Sequence, residues 1–117
     1  MDRSLALDLL MVKLGSTEKA LRRAQREVAE KQRVDDDGWP VQMLSWQINE
    51  ARSIVDAVRA VQEERAQVTA REALQETLTL IESRAQGHRA RGLHWEMLIA
   101  FDAARIVRDF MNADGLR

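Results

Sequence analysis

The chain has 117 residues, with 18 Lys+Arg against 19 Asp+Glu, 45% apolar residues and no Cys. That length suits a single domain over residues 1–117, and the apolar fraction excludes a chain disordered throughout. The missing Cys excludes disulfides, thiolate metal sites and a Cys nucleophile.

No run of 18 apolar residues occurs, so no membrane span is expected. The opening stretch MDRSLALDLLMVKLG lacks a charged n-region, a long apolar run and a small-residue cleavage site. A cytoplasmic protein is therefore expected. Ala (16), Leu (13) and Arg (15) dominate and favour helix, and no segment alternates apolar and polar residues as a half-buried strand does. The expectation is an all-α four-helix bundle, with helices over 4–34, 40–67, 70–86 and 92–112 and a long first and second helix.

In the first segment, Leu7, Leu10, Leu14, Thr17, Leu21, Ala24 and Val28 recur at steps of three and four, a seam that buries against a neighbouring helix. Leu5, Leu9, Met11 and Val12 widen the apolar surface there, which predicts burial on more than one side. Gly15 lies off the seam, within a single helix. Asp35-Asp36-Asp37-Gly38-Trp39-Pro40 reads as the first turn, since Asp and Gly form turns and Pro suits a helix start.

The second segment carries Val41, Leu44, Ile48, Ala51, Val55 and Val58 on one seam, with Ile54, Val61 and Val68 as a stripe beside it. Thr69-Ala70-Arg71-Glu72 fits a capping box and predicts a new helix at Thr69. The alternative is one rod over 40–86. At 1.5 Å per residue it would be about 70 Å long, too long for a compact chain of this size.

The third segment places Ala70, Ala73, Leu74, Leu78, Leu80, Ile81 and Ala85 on one face, with Gly87 as its stop. In the fourth, apolar residues cover more than half the helical wheel, which predicts a place near the bundle centre or at an oligomer interface. The long seams and that apolar helix together predict a homodimer.

Little in the residues points to catalysis. His88 and His94 stand six apart without a metal-ligand spacing and are expected to face solvent near a turn. Asp35–Gly38 lacks the alternating ligands of a calcium loop. No Gly-rich phosphate loop occurs. Neither a metal nor a cofactor is expected. Glu96 falls within the apolar arc of the last helix, and the reading preferred here is an ion pair or exposure in the first turn.

Arg89-Ala90-Arg91-Gly92-Leu93-His94 gives Arg-x4-His at the start of the last helix. This resembles the Arg-x(4–6)-His motif of HEPN-domain ribonucleases. The resemblance covers six residues, with Ala90 where the family commonly has a polar residue. It implies His94 as the acid/base for attack by a 2′-hydroxyl and Arg89 as the group that stabilises the phosphate.

Charge is uneven. Residues 1–34 are net basic and 35–68 net acidic. Lys19, Arg22, Arg26 and Arg33 line one side of the first helix, and Arg84, His88, Arg89 and Arg91 form a second basic cluster. Either could meet phosphates, which gives a nucleic-acid-binding alternative. Trp39, Met43 and Trp46 lie on one side of the second helix's start, off its Leu44/Ile48 seam. Large amphipathic residues so placed suit a protein partner. The leading expectation is a non-enzymatic bundle that binds a protein partner, as an adaptor, assembly factor or small phage-type inhibitor. The alternatives are the ribonuclease and the nucleic-acid binder.

Overall fold

A computed structural model of the chain describes residues 2–31, 39–64 and 69–113. These form four helices and, among the described residues, no strand: α1 (Arg3–Lys31), α2 (Trp39–Glu63), α3 (Ala70–Ala90) and α4 (His94–Met111). The all-α four-helix bundle is the observed fold. The expected turn residues 35–38, the apolar Val68 and the ends of the first two expected helices (32–34 and 65–67) lie outside the described residues. No described helix is long and apolar enough to cross a membrane.

Local chemistry sets the helix ends. The Asp2 carboxylate accepts from the Leu5 N–H at the start of α1, and α1 runs straight through Gly15. α3 begins with a complete capping box. The Thr69 hydroxyl accepts from the Glu72 N–H at 3.2 Å, and the Glu72 carboxylate accepts from the Thr69 N–H at 3.3 Å. Residues 40–86 are therefore two helices. Thr69→Ala is expected to cost about 1 kcal/mol, the usual loss for an N-cap hydroxyl, read as a lower urea midpoint with unchanged slope.

Gly87 does not stop α3 as its composition suggested. The helix continues to Ala90, and the break falls at Gly92, with φ +72°. There the Leu93 N–H donates to the His88 carbonyl at 2.9 Å and the Gly92 N–H to the Arg89 carbonyl at 3.2 Å. This paired closure needs a left-handed residue after the last helical turn, which glycine supplies without steric cost.

The helices pack as two hairpins, α1/α2 and α3/α4, with α4 touching all three other helices. A contiguous core joins Leu7, Leu10 and Leu14 of α1 with Ile54, Val58 and Val61 of α2. α3 adds Leu74 and Ile81, and α4 adds Ala100, Ala104 and Val107. At one end Arg3 closes the α1/α2 pair. Its guanidinium donates to the carbonyls of Val61 and Gln62 in the last turn of α2. The Gln62 amide in turn donates to the Asp8 carboxylate at 2.6 Å and the Ser4 carbonyl at 3.1 Å.

The other end is different. No residue of α1 after Leu14 is fully buried, and Leu44 and Ile48 of α2 are buried but stand apart from the contiguous core. The α1/α2 hairpin thus projects past α3/α4 as a two-helix arm, residues 22–31 and 39–46, in a molecule 55 × 28 × 24 Å across. Within the arm, the Gln25 amide donates to the Val41 carbonyl at 3.1 Å and the Ser45 hydroxyl at 2.7 Å.

Two burial expectations are corrected. Leu5, Leu9 and Val12 are 49%, 40% and 71% exposed, because α1 takes its neighbours on one side only and these three face away from them. Leu80 is also exposed, at the edge of the α3 face that buries Ala73, Leu74 and Ile81.

Candidate functional site

The seam of α2 that meets α3/α4 can be followed upward into the arm. Val61, Ile54 and Glu50 lie on one side of α2, and Trp46, Met43 and Trp39 continue that row at steps of three and four. The lower part is tied to the other hairpin. Ile54 and Ala51 pack with Leu14 and Thr17 of α1 and Ile99 and Ala103 of α4 around a void of about 10 Å³. Above Glu50 the burial falls off. Met43 and Trp46 are half-buried and Trp39 is 48% exposed. The rings of Trp39 and Trp46 meet edge to face, 5.4 Å between centroids at 77°. That geometry suits the aromatic quadrupole and holds the two rings as one unit.

Glu50 marks the boundary. Its side chain is 3% exposed, and it receives a two-pronged contact from Arg84, Nε to Oε2 at 2.6 Å and Nη2 to Oε1 at 2.8 Å. His88, one turn on from Arg84, brings Nε2 within 2.9 Å of the same Oε2. That approach is off the line of an N–H bond, and neither ring nitrogen is hydrogen-bonded. The hydrogen bonds that Arg84 donates to Glu50 raise the Arg84 pKa above its ordinary value, against the opposing effect of burial, and the carboxylate charge adds to the rise. A raised arginine pKa stabilises the fold at every pH below the ordinary value and is lost only above it, so the arginine does not titrate near neutrality.

His88 is thus not the solvent-facing residue expected; its side chain is 11% exposed. Sequence reading placed Arg84 and His88 in a basic cluster but passed over Glu50. The available signal was its register, four residues before Ile54 and eleven before Val61 on the apolar stripe, with Arg84 and His88 spaced i, i+4 on α3. Both carboxylate oxygens are held by Arg84, so the cluster acts as a charged clamp between the two hairpins.

The other candidates are spread out. Arg89 lies in the last turn of α3 and His94 opens α4, both exposed and separated by the turn at Gly92. The His94 ring packs on Trp95 at 5.0 Å. Glu96 is half-buried in the first turn of α4, where a carboxylate suits the helix dipole, and no ion pair to it forms among the described residues.

Lys19, Arg22 and Arg26 do share a side of α1. With Arg23 and Gln25 they line a surface depression of about 410 Å³. Arg33 lies outside the described residues. Arg22 is held by Glu18 at 3.4 Å, and Glu18 also pairs with Arg52 of α2 at 3.1 Å. This cross-helix pair has the acid on the basic helix and the base on the acidic one, the reverse of what segment charges suggest. Among the described residues no three His, Asp or Glu side chains converge to hold a metal ion.

No protein-family model matches the chain, and comparison with curated proteins and with solved structures finds no match.

Proposed function

We infer that the protein works by binding another protein through its arm, with Trp39, Met43 and Trp46 as the contact row. The observation that carries this reading is the continuity of the α2 row. One face of one helix packs on α3/α4 as far as Glu50, then presents two Trp and a Met, of which Met43 and Trp46 are half-buried and Trp39 is 48% exposed. Aromatic and Met side chains offer large, adaptable contact area and are enriched where binding energy concentrates. In this role the bundle is an adaptor, assembly factor or inhibitor, with α3/α4 bracing the base of the arm.

The test is affinity capture with the intact protein and with a Trp39→Ala/Trp46→Ala variant that keeps its helical circular dichroism. Partners held by the wild type are expected to be lost from the variant, by tenfold or more in occupancy, as removal of a central aromatic pair does. Capture of the same partners by both proteins would overturn the reading.

A further inference from the structure

Resting on that arm-binding reading, we propose that the occupant of the arm face is the arm of a second copy of this chain, forming an antiparallel four-helix bundle about a two-fold axis. Three observations define the occupant. The first is continuity with an existing interface. Below Glu50 the face made by α1 and α2 is filled by a helical hairpin, α3/α4, with Leu14 and Thr17 on one side and Ala51 and Ile54 on the other. The same two rows run on into the arm, so the shape that fits there is again a helical hairpin. A second arm is one.

The second observation is the pairing of sizes. On α1 the row continues from Thr17 as Leu21, Ala24 and Val28, all half-buried, with Leu21 still packed against the core. On α2 it continues as Trp46, Met43 and Trp39. Of the two-fold axes that would place one arm on the other, only one running across both helices keeps the two α3/α4 hairpins at opposite ends. That axis sets α1 on α1 and α2 on α2, each pair antiparallel. Ala24, with Val28 beyond it, then allows closer approach of the two α1 helices, while Trp and Met fill the wider gap between the two α2 helices. Interaxial distances of 8–10 Å accommodate both, depending on the side chains at the contact.

The third observation is register. Gln25 bonds both Val41 and Ser45, which levels Ala24 and Gln25 with Met43. The middle of the α1 row and the middle of the Trp39–Trp46 row therefore stand at the same height, as a single axis through the arm requires. The contact is isologous, the commonest way for one surface to satisfy itself.

The test uses the full chain in size-exclusion chromatography with light scattering across a hundredfold range of concentration. The wild type is expected at twice the 13.4 kDa chain mass. Ala20→Arg puts a long side chain on an exposed position beside the α1 row, one turn from Ala24, where folding is unaffected, and Trp46→Glu puts a charge in the large row. Each is expected to give a monomer with unchanged helical content. Val12→Glu, on the exposed apolar stripe that faces away from the other helices, is expected to remain dimeric.

A wild type that is monomeric throughout would overturn the second-copy proposal while leaving the arm-binding reading to its own capture test. A dimer that survives both Ala20→Arg and Trp46→Glu, or that is lost in Val12→Glu, would also overturn it.

Discussion

Replacing Arg84 with Met should destabilise the protein by about 3 kcal/mol, and should do so more than Glu50→Leu. The two partners sit in unequal places. The Glu50 side chain is 3% exposed, whereas Arg84 is 39% exposed. Loss of Arg84 strands a carboxylate in the interior, with His88 as its one remaining ion-pair contact among the described residues. An unpaired buried charge costs several kcal/mol; the lower end of that range applies because Arg84 itself is partly in water. Loss of Glu50 instead leaves a guanidinium on a long stem that can turn out to solvent. The double variant Glu50→Leu/Arg84→Met removes charge and penalty together and should lie close to the wild type. Urea midpoints of the four proteins close the cycle. Equal losses in the two single variants would overturn the asymmetry, and additive losses in the double would show that Glu50 and Arg84 are not a coupled pair.

The parts of this molecule that were legible in the sequence are those decided within one turn of chain. The Thr69/Glu72 capping box needs only residues three apart, and it divides residues 40–86 as read. Gly87 and Gly92 show where such reading fails. Both are glycines near a helix end, and which of them breaks the helix depends on whether Ala85 and His88 have something to pack on. Ala85 is fully buried and His88 reaches Glu50, so packing carries α3 past Gly87.

Glu50 was missed for the same reason. A Glu among apolar neighbours on a wheel is ordinarily solvated, and its burial follows from a helix 34 residues further along the chain. The Trp39, Met43 and Trp46 cluster was legible as large residues off the Leu44/Ile48 seam. That it extends the very row that α3/α4 covers was not, because the height reached by one hairpin on the other is set by tertiary packing. Burial of Leu5, Leu9 and Val12 was misjudged because the number of neighbours around a helix is likewise a tertiary quantity.

The arm and the body should also differ in stability, and paired truncations can separate them. Ile54→Ala is expected to cost about 2–5 kcal/mol, the range for a buried aliphatic in a close-packed core. Ile54 is 1% exposed and lies where α1, α2 and α4 meet, beside a void of only about 10 Å³. With three helices pressing on the site there is little room to collapse, so the loss should lower protection from hydrogen exchange throughout α2, α3 and α4.

Leu44→Ala removes a side chain that is 7% exposed but packs outside the contiguous core. Its loss should act locally. Short helices owe their stability to the neighbours they pack on, and in the arm those neighbours are each other and whatever docks there. Amides of residues 22–31 and 39–46 are expected to exchange at least tenfold faster in Leu44→Ala, while those of residues 73–107 keep their wild-type rates. The same variant should weaken arm-mediated association, whereas Ile54→Ala, under conditions where it is folded, should leave it intact. Uniform loss of protection in Leu44→Ala would mean that arm and body unfold as one unit. The arm would then be an extension of the core, and its apolar row would have to be accounted for by the fold alone.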